Sequence, residues 1–91
     1  MGAEARLKEK NISLPPPPVP VANYISAVRI GTLLFTAGHG PLGPDGKATV
    51  HGKLGRDLSV EQGYEAARTT GLNLLAAVRN QLSSLDKVKR V

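Results

Sequence analysis

The sequence predicts an α+β domain in which an antiparallel-rich sheet packs one face against a single long helix. Apolar and alternating runs broken by glycine turns occupy residues 23–56, and a helical apolar pattern occupies residues 59–82. A short alternating run at 87–91 then suggests a return to the sheet. With 91 residues, 41% hydrophobic and 21% charged, the chain is long enough for one small globular domain.

Two parts are expected along the chain: an N-terminal arm over residues 1–22 and a partial domain over 23–91. The arm begins with a charged stretch and ends in a proline-rich segment over 14–20. The four prolines at 15–18 favour a polyproline II conformation, because each fixes φ and lacks an N–H. The segment is interpreted as a stiff spacer packed on the domain surface, with a ligand for an SH3-type groove as the alternative.

Three strands are predicted in the first half of the domain. The first covers residues 24–30, and Gly31-Thr32 forms a two-residue type II′ hairpin turn. The second covers 33–37, a continuous apolar run typical of a strand buried on both faces. A Pro44-Asp45-Gly46 turn then leads to a third short strand over 48–51.

One helix is predicted over residues 59–82. Ser59 is a favourable N-cap, and Gln62 three residues later completes a capping box. Gly71 falls on the apolar face, which predicts a close approach of the helix to the sheet. The apolar face is predicted to hold Tyr64, Ala67, Gly71, Leu74, Val78 and Leu82. The side chains predicted to point toward solvent are Arg68, Asn73, Arg79 and Asn80. After the helix, residues 87–91 are predicted to start a fourth strand.

Composition excludes several kinds of chemistry. The chain contains no cysteine, which removes disulfides, thiolate metal sites and cysteine nucleophiles. Its net charge of +5 is spread along the chain and is weak evidence for nucleic-acid binding. No apolar segment is long enough to span a membrane, and the N-terminus does not resemble a secretory signal, so a cytoplasmic location is expected.

Neither a cofactor nor a metal is predicted. Residues 38–43 match the letters G-x-G-x-x-G, but they lead into a turn and a strand rather than a helix that would receive a pyrophosphate. His39 and His51 belong to no spaced set of ligands. His39 is nevertheless a candidate binding residue, because flanking glycines let a ligand approach the backbone. An ordinary loop histidine is the equal alternative.

Several segments resemble the RidA/YjgF family, also called endoribonuclease L-PSP. They are PVANY at 20–24, AVRIGTLLF at 27–35, AGHGPL at 37–42, DGK at 45–47 and GYEAAR at 63–68. The resemblance implies a chorismate-mutase-like fold and homotrimers with clefts between subunits. It also implies hydrolysis of small enamines and imines to 2-keto acids and ammonia without cofactor or metal.

The resemblance carries four substrate-binding candidates onto this sequence. Tyr24 matches the family's cleft tyrosine, and Gly38 matches the glycine whose backbone borders the substrate. The sequence departs from the family's pattern at two of these positions, where Ala37 replaces a family serine and His39 a family glutamine. The family's carboxylate-binding arginine and water-positioning glutamate would match positions beyond Val91. No catalytic residue is therefore predicted here, and the 91-residue chain is expected to be inactive alone.

Three functions remain open at this stage. The first is imine or enamine hydrolysis at a subunit interface. The second is a trimer that binds small carboxylic acids without turnover, motivated by Ala37 and His39. The third is RNA binding or cleavage, motivated by the net charge and the basic run at 87–90, although no aromatic stacking platform is evident. The expected partners are two further copies of the chain and a small enamine, imine or carboxylic acid; neither a membrane nor a nucleic acid is expected.

Overall fold

The computed structural model describes residues 2–17 and 25–91, and its architecture confirms the α+β class. A helix, α1 (Ala3–Glu9), precedes a hairpin of β1 (Ala27–Ile30) and β2 (Leu33–Thr36). A long helix, α2 (Val60–Leu82), packs on β1 and is followed by a 3₁₀ turn, η1 (Leu85–Lys87). None of these helices is long and apolar enough to cross a membrane.

The hairpin turn agrees with the sequence prediction. Ile30 pairs with Leu33, which leaves Gly31 and Thr32 as the two loop residues. Gly31 has φ +60°, whereas Thr32 has no positive φ, as a type II′ turn requires. The strands are shorter than predicted, because pairing begins at Ala27 and ends at Thr36.

The two faces of the hairpin differ in burial. Ala27 is 4% exposed on the face that meets α2. The opposite face, here called the open sheet face, carries Val28, Ile30, Leu33 and Phe35, which are 40%, 64%, 61% and 56% exposed. The prediction that 33–37 is buried on both faces is therefore wrong for the described residues, because α2 covers one face and nothing covers the other.

The predicted third and fourth strands are not formed. Residues 48–51 contribute one isolated bridge, Leu42 with Ala48, on either side of a turn in which the carboxylate of Asp45 accepts from Lys47 N at 3.0 Å. Residues 88–91 pair with no strand in the described part of the chain, and Lys87 belongs to the 3₁₀ turn. A strand needs a neighbour to complete its hydrogen bonds, and neither segment has one among these residues.

The start of α2 follows the predicted capping box. Ser59 Oγ accepts from Gln62 N at 3.2 Å, while Gln62 Oε1 accepts from Ser59 N at 2.8 Å. The loop before it is closed by Asp57, whose carboxylate accepts from Lys53 N and from Arg56 Nε, both at 3.0 Å. The Arg56 hydrogen bond, assisted by that of Lys53 N, holds the pKa of Asp57 below its ordinary value.

The buried face of α2 differs from the predicted one. Its buried residues are Asn73, Ala76 and Ala77, whereas Tyr64 is 70% exposed. The solvent-facing assignment of Asn73 is wrong, since its exposure is 3%. The close approach predicted at Gly71 is also not found among the described residues, where a Cβ at this position would meet no atom within 4 Å.

Close approach to α2 occurs instead at Gly63, on the loop side of the helix. A Cβ at Gly63 would lie 2.5 Å from Cδ2 of Leu54. The glycine in this turn therefore gives room to a leucine from the preceding loop. The buried apolar residues of the described chain are few and small, namely Ala27, Ala76, Ala77 and Leu85.

The N-terminal arm contains α1, a helix that the sequence analysis did not predict. Glu4 of α1 accepts from Arg79 Nη2 at 2.7 Å, from Arg79 Nε at 3.2 Å and from Leu85 N at 2.8 Å. The Arg79 hydrogen bonds lower the pKa of Glu4, with a further contribution from Leu85 N. In return, Asp86 Oδ1 accepts from Glu4 N at 3.0 Å. Arg79, predicted to face solvent, is thus half-buried in an ion pair that docks α1.

The proline-rich segment lies only partly within the described residues. Residues 12–17 belong to neither helix nor strand, and Pro18 lies outside the described part. Its role as a spacer stays a prediction.

Candidate functional site

The loop that follows β2, residues 37–42, carries three of the four predicted site residues. Ala37 N donates to Ser26 O at 2.9 Å, which continues the hairpin ladder by one bond and then ends it. Beyond that bond, the backbone N–H groups of Gly38, His39 and Gly40 donate to no acceptor within residues 2–17 and 25–91. The loop thus presents successive unused donors at the end of a strand.

The imidazole of His39 is held by its own loop. Its Nδ1 lies 2.8 Å from the carbonyl oxygen of Ala37. Because a carbonyl oxygen only accepts, Nδ1 must carry a hydrogen, and this assignment follows from the hydrogen-bond network. In the neutral ring, Nε2 is then left with a lone pair, and it forms no hydrogen bond to any described group. His39 is half-buried, so the ring is partly shielded from water.

Asn73 of α2 fastens the far side of the loop. Its Nδ2 donates to Gly40 O at 3.1 Å and to Leu42 O at 3.0 Å, so both amide hydrogens are used. Pro41 O, between them, accepts from the N and the Oγ1 of Thr49, each at 2.9 Å. Three consecutive carbonyl groups of the loop are therefore held by donors from elsewhere in the chain.

The polar groups of this loop that have no partner among the described residues are backbone N–H donors and one imidazole nitrogen. Backbone N–H groups donate hydrogen bonds to carboxylates and phosphates, and the imidazole of His39 adds a further polar group to the same loop. No cluster of three histidine, aspartate or glutamate side chains suitable for a metal occurs in the described residues. Within the same residues, no arginine or glutamate side chain hydrogen-bonds to the loop.

The structure therefore places Ala37, Gly38 and His39 on one short loop, while Tyr24 lies outside the described residues and its contribution stays a prediction. Asn73 was missed because a polar residue in a helix is assigned to solvent by default. One signal was available, since Asn73 precedes Ala76 and Ala77 by three and four positions, which places them on the same helix face.

Apart from the loop at 37–42, a shallow groove of about 250 Å³ lies along the first turns of α2. It shares no lining residue with the loop at 37–42 and contains no histidine. Its lining residues are Val50, Glu61, Gln62, Glu65, Ala66 and Thr69.

Comparison with known proteins identifies the fold. No family model matches the sequence. The structure resembles that of "a putative endoribonuclease" from Shewanella oneidensis MR-1, with a TM-score of 0.88 and 31% identity over 100% of this chain and 60% of that one. It also resembles protein Atu1372, of unknown function, from Agrobacterium tumefaciens, with a TM-score of 0.76 and 37% identity over 97% of this chain and 52% of that one. The chain thus has the α+β fold predicted from the sequence, of the RidA type.

Among curated proteins, "Protein TCP17" from Trypanosoma cruzi is 37% identical over 87 residues. That match covers 96% of this chain and 54% of TCP17. The chain therefore spans about half the length of this relative, and 60% or less of each of the two structures above.

Proposed function

We propose that the chain belongs to the RidA/YjgF family and that its loop at 37–42 forms one wall of a site for small 2-imino and 2-oxo acids. The observation that carries this proposal is that the N–H groups from Gly38 to Gly40 and the Nε2 of His39, all in one loop, have no hydrogen-bond partner among the described residues. A substrate carboxylate accepts hydrogen bonds from such donors. The fold shared with the Shewanella protein and the sequence resemblance support the choice of family.

The proposed reaction is hydrolysis of an imine to a 2-keto acid and ammonia. Water adds to the C=N carbon, one of its protons ends on the nitrogen, and the resulting carbinolamine collapses to C=O as ammonia leaves. Every atom comes from the imine and water, so no electron acceptor is required. In this scheme His39 Nε2 accepts the proton of the attacking water and returns it to the leaving nitrogen.

This chain alone does not complete the proposed site. The loop offers neutral N–H donors but no cationic side chain to pair with a carboxylate. We therefore propose that an arginine and a glutamate from sequence beyond residue 91, or from a neighbouring subunit, supply the clamp and position the water. The 91-residue chain is expected to bind a small acid weakly and to turn over none.

Assembly into a homotrimer is part of the proposal. The open sheet face presents four large apolar side chains side by side, an arrangement typical of a surface covered by a partner. Replacing Phe35 with lysine should abolish trimers, as measured by sedimentation, and leave the helical circular dichroism unchanged. The matched control is Tyr64→Lys, at a comparably exposed aromatic residue of α2 away from the hairpin. A monomeric wild-type chain would remove assembly from the proposal.

Ligand binding is tested first, with the chain as it stands. Isotope-labelled protein is titrated with 2-ketobutyrate and, as control, with 2-butanone, which lacks the carboxylate. We expect the amide signals of Gly38, His39 and Gly40 to shift with the acid and not with the ketone. Equal responses to both compounds, or none to either, would overturn the proposed site.

Turnover is tested with a chain that extends to the length of the relatives. Ammonia release from freshly generated 2-aminoacrylate should exceed the uncatalysed rate, and His39→Ala should reduce it.

Non-catalytic acid binding is the second candidate, favoured because Ala37 and His39 stand where the family has serine and glutamine. It is selected if the acid binds but no ammonia is released. RNA binding that weakens steeply as the salt concentration rises would instead favour a function on RNA, in line with the word endoribonuclease in the name of the Shewanella protein.

A further inference from the structure

Asn73 is a buried polar residue with a specific task. Its exposure is 3%, and the other buried residues among those described in α2 are the alanines Ala76 and Ala77, at 3% and 2%. A buried amide without hydrogen-bond partners is unfavourable, so such a side chain is retained only where its donors are used. Both hydrogens of its Nδ2 are used on one loop, at Gly40 O and Leu42 O.

Of these two carbonyl groups, that of Gly40 has a second donor within the loop, whereas that of Leu42 has none in the described residues. The peptide bond between Gly40 and Pro41 has no N–H, so a regular strand ladder cannot continue through it. Leu42 N folds back onto Gly40 O at 2.9 Å. Leu42 O accepts from no other donor in the described residues. The Asn73 hydrogen bonds therefore help to fix the backbone conformation immediately after the Gly38–Gly40 donors.

The orientation of the amide follows from the same contacts. Two carbonyl oxygens can only accept, so the nitrogen of Asn73, and not its oxygen, must face them. An ionised carboxylate in the same place would present no hydrogen and would face two oxygen atoms with a negative charge. The site is thus sensitive to the chemistry of this side chain and not only to its volume.

We propose that Asn73 is the positioning residue of the 37–42 loop: it contacts no ligand, and it acts by holding the Gly38–Gly40 donors and the His39 ring in the arrangement that receives a carboxylate. The ligand part of this inference rests on the proposed function, whereas the loop part does not.

The decisive variant is Asn73→Asp, which changes shape very little. When the introduced carboxyl is ionised, both hydrogen bonds to the loop are lost. When it is protonated, its single O–H restores one of them. A role that depends only on side-chain volume predicts no change with pH, whereas the positioning role predicts a loop that loosens as the carboxyl ionises.

Loop order is measured by amide hydrogen exchange at Gly43 and Thr49, whose N–H groups hold the loop through Lys47 O and Pro41 O. At pH about 7.5, we expect both amides to exchange about tenfold faster, or more, in N73D than in the wild type at the same pH, because Leu42 O loses its one donor among the described residues. The ratio should fall toward one as pH approaches about 4.5, where a carboxyl becomes protonated. A ratio near one at both pH values would overturn the proposal.

The other titrating and charged groups on the surrounding elements are the same in the wild type and in N73D. Comparing the two proteins at equal pH therefore removes the effect of these groups from the ratio of exchange rates. The groups are Arg29 on β1, His39 and Asp45 in the loops, and Arg68 and Arg79 on α2. The control variant is Ala77→Gly, which loosens α2 at a residue 2% exposed but removes no donor to the loop. It should accelerate exchange throughout the chain without a difference that depends on pH.

Two further measurements keep the outcome clear. In the wild type, the side-chain NH₂ protons of Asn73 should exchange slowly, and rapid exchange would overturn the proposal even if N73D fails to fold. In the ligand experiment, N73D should weaken 2-ketobutyrate binding about tenfold at pH about 7.5. If the wild type does not bind the acid, the proposed function fails and the loop result stands. If N73D binds it as tightly as the wild type, the positioning role fails and the proposed function stands.

Discussion

The two glycines inside α2 should respond differently to replacement by alanine. Alanine in a helix interior is favoured over glycine by about 1 kcal/mol. At Gly71 the added Cβ meets no atom of residues 2–17 and 25–91 within 4 Å, so the whole gain should appear as stability. Gly71→Ala is thus expected to raise the free energy of unfolding by about 1 kcal/mol, and the melting temperature by about 4–8 °C for a domain of this size.

At Gly63 the same gain is opposed by a steric conflict. The added Cβ would lie 2.5 Å from Cδ2 and 2.9 Å from Cδ1 of Leu54. Leu54 is 60% exposed, so its side chain is able to rotate away, but only by giving up its contact with the helix. Gly63→Ala should therefore change stability by less than about 0.5 kcal/mol. In a Leu54→Ala background the conflict is removed, and the same substitution should recover the full gain of about 1 kcal/mol.

Urea and thermal unfolding, followed by circular dichroism at one fixed protein concentration, measure these differences. The concentration must be held constant because the stability of an associating chain depends on it. A Gly71→Ala variant less stable than the wild type would refute the reasoning, since it would mean that another segment or subunit packs against Gly71. Equal gains at both glycines would show that Leu54 does not lie over α2 in solution.

Two other contacts give direct tests. The Arg79 hydrogen bonds lower the pKa of Glu4 in the folded chain. The contribution of this carboxylate to the free energy of unfolding is therefore complete above its ordinary pKa and is lost as pH falls through the lower folded value. The amide signal of Leu85 should therefore move between about pH 5 and 3 in the wild type but not in Glu4→Gln, and a titration identical in both would contradict this. Gly52 has φ +127°, and an added Cβ would lie 2.5 Å from Cβ of Asp57, so Gly52→Ala should destabilise the chain by about 1–3 kcal/mol in urea unfolding. A neutral effect would show that this loop is not held as described.

Local features were predictable from the sequence because their causes lie within a few residues. The capping box of Ser59 and Gln62 needs only the four residues it spans, and its two hydrogen bonds are formed as expected. The turn at Gly31 is likewise decided by a residue that tolerates positive φ between two apolar runs. The same local pattern predicted the end of β2 at residue 37, one residue beyond Thr36, where pairing ends.

Features that depend on distant residues were not predictable in this way. The apolar run at 33–37 is compatible with burial of both faces of β2. It does not indicate whether the segment that packs on the second face belongs to the described residues. The burial of Asn73 depends on carbonyl groups 31 and 33 positions earlier in the chain. A pattern of polar and apolar residues does not encode such a partner, so the residue that braces the site was assigned to solvent.

The docking of α1 has a consequence for vectorial synthesis on the ribosome. A helix of seven residues is marginal by itself, and the groups that hold this one belong to Arg79, Leu85 and Asp86, which lie 75 to 82 positions later in the sequence. When residues 3–9 leave the exit tunnel, these partners have not yet been made. The residues of α1 therefore wait without their partners until η1 has also emerged, and during that interval they stay available to chaperones.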